Sequence, residues 1–168
     1  MTDTAIRVAT ERDVEAWRAL RMDGIIRHPR AFIVSAEEAA AVPVEDDAAR
    51  LRSGGRFMAF MDDTAVGLIG LNRNTMPRSR HRGEIGPLYV APRARGRGVA
   101  DALLTAAMEA GRATGVWQIE LSVYVENHRA IALYERHGFA LTGKIPNALL
   151  GADGYEDDLL MIRIFDRT

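Results

Sequence analysis

The fold of this chain is decided by Leu88-Tyr89-Val90-Ala91-Pro92-Arg93-Ala94-Arg95-Gly96-Arg97-Gly98-Val99-Ala100. A strand-like run from Gly83 to Val90 ends at a proline and two glycines. The strongest helical pattern of the sequence follows, Gly98 to Arg112, with Val99, Leu103, Ala106, Ala107 and Ala110 on one stripe. Glycines before a helix let the backbone approach a ligand without Cβ atoms in the way. The first helical amides have no intrahelical acceptor and sit at the positive end of the dipole. Such a turn is suited to a phosphate or pyrophosphate, and Arg93, Arg95 and Arg97 add charge around it. It is not a P-loop, because no Gly-Lys-Ser/Thr is present. Gly96-Arg97-Gly98 lacks the third glycine of the dinucleotide fingerprint, and Glu120 falls inside a strand, so a nicotinamide site fits poorly.

Working outward, Gly115 opens a strand whose inward set is Ile119, Leu121, Val123 and Val125. The strand–helix–strand unit from Gly83 to Val125 requires two parallel strands with a right-handed crossover. Asn127 begins a helix through His137, stopped by Gly138 with Phe139 behind it. Strands are expected at Phe139–Gly143 and Asp158–Phe165. On the other side, Phe57–Met61 and Ala65–Leu71 read as a hairpin about Asp62-Asp63-Thr64, and Asn72–Arg82 as a long turn. Ala5–Thr10 reads as a strand, and Thr10 with Asp13 as the start of a helix carrying Val14, Trp17, Leu20, Ile25 and Ile26. Ala36–Arg52 is helical and broken at Pro43. The order gives a mixed-sheet α/β or α+β domain, and the 168 residues show no linker, so one domain is expected over 1–168.

Composition removes other classes. There is no cysteine, hence no disulfide, no thiolate nucleophile and no Cys-ligated metal. The formal net charge is −1, so no global basic field calls for nucleic acid or an anionic membrane. No stretch approaches the roughly 18 apolar residues of a membrane span, and the first ten residues lack the apolar run of a signal peptide. A cytoplasmic location without membrane association follows as the expectation.

Arg95-x-x-Gly98-x-Ala100, preceded by Leu88-Tyr89-Val90-x-Pro92, resembles the acetyl-coenzyme A motif of the GNAT superfamily of N-acetyltransferases. Asn127-His128-Arg129-Ala130-Ile131-Ala132-Leu133-Tyr134-Glu135-Arg136-His137-Gly138-Phe139 is similar to that superfamily's second signature, and the spacing between the blocks matches. The resemblance implies an α+β fold with a central mixed, mostly antiparallel twisted sheet of about six or seven strands. Strands 4 and 5 would be parallel and splayed, with about four helices flanking. It implies acetyl-CoA as cosubstrate, no metal, and an amine of a small molecule or peptide as acceptor. A homodimer is compatible with it; nucleic acid is not expected as a partner. The other readings are a coenzyme-binding sensor or interaction module without catalysis, and a protein- or tRNA-modifying acetyltransferase.

Residue by residue, the resemblance implies that Leu88, Tyr89 and Val90 lie along the pantetheine arm, through the backbone groups of Leu88 and Val90. Amides from Arg95, Gly96, Arg97, Gly98, Val99 and Ala100 would hold the pyrophosphate. Asn127 would meet the pantetheine arm, although it is equally an N-cap. Tyr134 would protonate the departing thiolate; a reference tyrosine pKa of ~10 lies above a thiol's ~8.5, so the donor is available. Gly86 and Pro87 suit an unpaired position in the fourth strand. Glu84 is the candidate general base. Direct transfer from an amine of pKa ~10.4 to an unperturbed glutamate is roughly 8 kcal/mol uphill, so burial, a water relay or a low-pKa amine would be needed. Glu120 and His81 are weaker candidates. Acceptor specificity is assigned to Gly24–Val34, to Arg73–Arg82 with Arg73, Arg78, Arg80 and Arg82, and to Ile145–Tyr155. The Asp153, Glu156, Asp157 and Asp158 cluster reads either as a cation attractor or as the approach to the last strand.

Overall fold

Hydrogen-bonded strands form one seven-stranded sheet in the order β1-β2-β3-β4-β5-β7-β6. The computed structural model describes residues 4–166. The strands are β1 (Thr4–Val8), β2 (Arg56–Met61), β3 (Thr64–Arg73), β4 (Arg82–Val90), β5 (Gln118–Tyr124), β6 (Ala140–Gly151) and β7 (Gly154–Ile164). The helices are α1 (Val14–Arg27), α2 (Ala36–Ala41), α3 (Val44–Arg52), α4 (Val99–Ala113) and α5 (His128–Arg136). Five helices rather than about four arise because Pro43 divides Ala36–Arg52. Its missing N–H and fixed φ end α2 and start α3. The chain separates into two compact units, 1–71 with 86–110, and 72–85 with 111–168.

In the first unit, β2 and β3 form the expected hairpin. Met61 faces Thr64, leaving Asp62 and Asp63 as a two-residue turn with φ of 47° and 59°. Positive φ at both positions is the primed turn whose twist suits a hairpin, and Asp tolerates it better than most residues. The core on one sheet face gathers Trp17, Leu20 and Ile25 from α1, Leu51 from α3, and Met58, Leu68 and Tyr89 from the strands. Gly24 lets α1 approach closely, since a Cβ there would meet the Phe32 ring at 2.7 Å and the Tyr89 ring at 3.0 Å. The entry to α1 uses Asp13 much as expected: its carboxylate accepts from the Thr10 N–H at 2.8 Å and from Arg7 at 2.7 Å.

In the second unit, β4 and β5 are parallel over Arg82–Glu84 and Gln118–Glu120. Ile119, Leu121 and Val123 are buried, as their alternation predicts. The expected last strands are too short. Ile145–Tyr155, read as a variable segment, belongs largely to a β6–β7 hairpin that turns between Gly151 and Gly154. Its alternation is hidden because register shifts between Ile145 and Leu149, where Pro146 donates no ladder bond and Asn147 takes φ of 52°.

Candidate functional site

Gly96 and Gly98 take φ of 73° and 75°, a region in which L side chains are strained. A Cβ built at either position meets no atom within 4 Å. The glycines therefore answer a backbone requirement and leave their side of the turn open. The Gly98 carbonyl accepts from the Ala102 N–H at 3.0 Å, so α4 is entered at Gly98. The amides of Val99 and Ala100 consequently have no intrahelical acceptor. These are the features a pyrophosphate needs, and the residues present fit one.

The arginines of this turn divide in a way the sequence did not reveal. Arg95 Nε donates to the Val90 carbonyl at 3.1 Å, and its Nη2 donates to His28 Nε2 at 2.8 Å. A guanidinium offers only donors, so the His28 nitrogen is the acceptor. Arg93 donates to the Ala65 carbonyl at 2.8 Å. Both side chains brace the turn. Arg97 is exposed and has no hydrogen-bond partner among the described residues. Ala91 N–H donates to the Val66 carbonyl at 2.8 Å, tying the end of β4 to β3.

Leu88 and Val90 are half-buried, whereas Tyr89 is 4 % exposed. The Tyr89 hydroxyl donates to Asp23 at 2.5 Å, and Asp23 also accepts from Arg27 at 2.7 Å. Burial, followed by that carboxylate, pushes the Tyr89 hydroxyl up to about 12. Its side chain is thus committed to holding α1, which leaves its backbone for a ligand. The Gly86–Pro87 peptide within β4 is cis.

In the second unit, Asn127 caps α5: its Oδ1 accepts from the Ala130 N–H at 3.2 Å. Tyr134 is placed by the helix stop. Phe139 N–H donates to the Tyr134 carbonyl at 3.0 Å and Gly138 N–H to the Glu135 carbonyl at 2.9 Å, with Gly138 at φ of 81°. This is the paired bonding of a Schellman stop, completed by edge-to-face contact of the Tyr134 and Phe139 rings at 5.7 Å. Burial pushes the Tyr134 hydroxyl up to about 12.

Glu84 is exposed and faces Glu120 across the parallel pair. Glu120 is engaged, its two oxygens lying 2.6 and 2.8 Å from Arg82 Nη2. His81 stacks on Trp117 with centroids 4.4 Å apart. Asp158 is 8 % exposed, and burial raises its pKa against a hydrogen bond from Ser122. Within the acidic cluster, Asp157 holds Lys144 at 2.5 Å and accepts from the Asn147 N–H at 2.9 Å. Asp157 thus serves the hairpin, while Asp158 reaches Ser122 on β5. Among the described residues no group of three or more His, Cys, Asp or Glu is arranged to hold a metal ion, and no helix is long and apolar enough to cross a membrane.

Sequence reasoning passed over a group in the first unit. Asp47, 2 % exposed, accepts from Arg18 at 2.5 Å and from Arg50 at 3.3 Å. Arg21 and Arg56 stand in the electrostatic reach of the same group. The four arginines come from α1, α3 and β2, and only a knowledge of helix packing would have joined them.

A mixed sheet with a parallel β4–β5 step, and a glycine turn that leads into α4 with its first amides unpaired within the helix, agree with the family to which the signatures pointed. The chain belongs to the acetyltransferase (GNAT) family, whose profile matches residues 16–139. It is 35% identical over 135 residues to a mycothiol acetyltransferase of Beutenbergia cavernae, covering 77% of this chain and 42% of that protein. It is 32% identical over 110 residues to the L-amino acid N-acetyltransferase AaaT of Escherichia coli K12, covering 65% of this chain and 67% of that one. The yncA structure from Salmonella typhimurium, with its cofactor acetyl-CoA, superposes with a TM-score of 0.85 at 18% identity, over 98% of this chain and 95% of that one.

Proposed function

We propose that residues 1–168 act as a single cytoplasmic N-acetyltransferase domain that moves an acetyl group from acetyl-CoA to an amine of a small molecule or peptide. Transfer is by direct attack in a ternary complex. The carrying observation is the open turn at Gly96 and Gly98, where positive φ and empty Cβ space coincide with the free amides of α4. Family membership and the names of the relatives support the same reading.

Acetyl-CoA, when bound, supplies an acetyl group activated as a thioester. Gly96, Arg97, Gly98, Val99 and Ala100 would hold its pyrophosphate through backbone N–H groups, with Arg95 bracing the turn from Val90 and His28. Backbone groups of Leu88 and Val90 align the pantetheine arm, and Asn127 meets it while capping α5. The Tyr134 hydroxyl keeps its proton at neutral pH because burial holds it up near 12, and it delivers that proton to the leaving sulfur. Glu84, exposed on β4, receives the amine proton through water. Without a cysteine, no acetyl-cysteine intermediate can form in this chain.

A panel of amines and peptides, scored by thiol release from acetyl-CoA, tests this directly. Acetyl-CoA binding with no turnover across the panel would leave a coenzyme-binding module instead.

A further inference from the structure

His28 caps the end of α1, and its ring nitrogen Nε2 lies 2.8 Å from Arg95 Nη2. An arginine keeps its charge and offers only donors, so this Nε2 must carry no proton. The bond therefore belongs to the neutral ring, whose one hydrogen is on Nδ1. Through Nε the same guanidinium donates to the Val90 carbonyl at 3.1 Å. Arg95 thus spans from the last residue of β4 to the end of α1. Its own backbone is extended, and Gly96 opens the turn in the next position at φ of 73°. A second tie runs alongside: the Tyr89 hydroxyl donates to Asp23 at 2.5 Å, and the Tyr89 and His28 rings stand 6.2 Å apart.

The charged and titratable groups set about this contact are Asp23 and Arg27 on α1, Tyr89 on β4, Arg95 itself, and exposed Arg30 two positions beyond His28. The Tyr89 hydroxyl, then Arg27, hold Asp23 below the usual carboxylate range against some burial. Tyr89 is pushed up to about 12. Neither changes state near neutrality, and the arginines keep their charge throughout. An unperturbed imidazole titrates near ~6.5, so His28 is the member of this group that changes state there. It is exposed, and its ring meets the pH of bulk water directly. A second proton takes up the lone pair that Arg95 uses and puts like charge on both sides of a 2.8 Å contact. The Arg95 fork then keeps one of these two anchors, the Val90 carbonyl.

We propose that His28 is a positioning residue for the coenzyme turn: its neutral ring holds Arg95, and its protonation loosens the turn and weakens acetyl-CoA binding in mild acid. This rests on the acetyltransferase reading and adds a control on the same site. No proton passes between His28 and the reacting atoms. Amides from Gly96 to Ala100 meet a pyrophosphate together in one backbone arrangement, so a released Arg95 lowers affinity and leaves the chemical step alone. The Asp23–Tyr89 tie persists through the same pH range, which keeps α1 on the sheet while the tie to the turn is switched. A direct contact between His28 and a coenzyme phosphate would have the opposite sign. Its protonation would then add a cation beside an anion and strengthen binding as pH falls.

Isothermal titration of acetyl-CoA into the full chain, from about pH 7.5 to about pH 5.5 across the imidazole range, is the test. It is run on the wild type, His28→Gln and His28→Ala. Glutamine offers Arg95 an acceptor oxygen that does not titrate, and alanine offers none. Wild-type affinity should fall by about three- to tenfold across the range, the size of one net hydrogen bond. His28→Ala should already be weaker by that factor at the upper pH. His28→Gln should recover most of the affinity there and hold it at the lower pH. The coenzyme's own phosphates titrate alike against every protein and cancel in the ratio of wild type to His28→Gln. A ratio that stays constant, or that moves in favour of the wild type in acid, overturns the proposal. So does His28→Gln binding no better than His28→Ala. If the wild type binds no acetyl-CoA at all, the acetyltransferase reading falls and this control with it; tight binding with a constant ratio removes the role of His28 alone.

Discussion

Replacing Gly98 by valine separates the cost of a strained backbone from the loss of a ligand site. Gly98 sits at φ of 75°, and a β-branched residue there costs about 1–2 kcal/mol in the folded state. Nothing lies within 4 Å of its Cβ position, so no clash adds to that cost. For a chain of this length the melting temperature should drop by about 3–6 °C. Coenzyme affinity should suffer far more, because the new side chain occupies the open side of the turn. Losing two charge-assisted amide bonds, each worth about 1.5–3 kcal/mol, weakens binding by roughly a hundredfold or more. Gly54 supplies the control: its φ is 82°, its Cβ space is also empty, and it lies in the turn after α3. Gly54→Val should match Gly98→Val in thermal stability and bind acetyl-CoA like the wild type. The assay is isothermal titration of acetyl-CoA beside a melting curve for each protein. If Gly98→Val binds as tightly as Gly54→Val, the pyrophosphate does not lie at this turn.

Three further outcomes follow from individual side chains. Tyr134→Phe should lower kcat by about a hundredfold with acetyl-CoA affinity nearly intact; since burial holds the hydroxyl up near 12, the wild-type pH–rate profile should show no tyrosine-dependent fall below about pH 11. Asp47→Asn removes the charge that Arg18 and Arg50 share in a nearly sealed position, and should cost about 3 kcal/mol or more by urea denaturation. Asp13 is held down to about 2, first by Arg7 and then by Thr10 against burial. Its stabilising contribution is complete above pH 4 and lost as pH falls toward 2; with Arg7 half-exposed, it should amount to about 1–2 kcal/mol. Urea midpoints measured from pH 5 to pH 2 should fall less steeply for Asp13→Asn than for the wild type.

What the sequence made legible is what short-range chemistry fixes. The Asp62-Asp63 hairpin, the break at Pro43, the alternation of Ile119, Leu121 and Val123, and the stop at Gly138 each depend on residues within a few positions of one another. Each is found where expected. The β6–β7 hairpin was missed because Pro146 and Asn147 displace the register within β6. Beyond that point Leu149 and Leu150 are adjacent, so no period of two survives to be read. The side chain of Tyr89 was unreadable for another reason: its hydroxyl reaches Asp23, 66 positions earlier. No local pattern encodes that bond.

The same distinction governs the two halves of the proposed chemistry. A coenzyme common to a whole family can be held by backbone amides, and backbone conformation is written locally, in glycines and helix starts. Gly96, Gly98 and the stop after Tyr134 therefore announce themselves. An acceptor that differs between relatives must be recognised by side chains converging from distant elements. Arg18 and Asp47 are 29 positions apart, and Arg56 is a further strand away. In a chain with 22 basic and 23 acidic side chains, Arg18 and Arg50 attract no notice until packing brings them to one carboxylate. At Gly70 the requirement is likewise long-range, since a Cβ there would stand 2.4 Å from the Gly86 carbonyl oxygen. The Arg18–Asp47–Arg50 group is thus a property of how α1 and α3 pack, whereas the turn before α4 is written in its own residues.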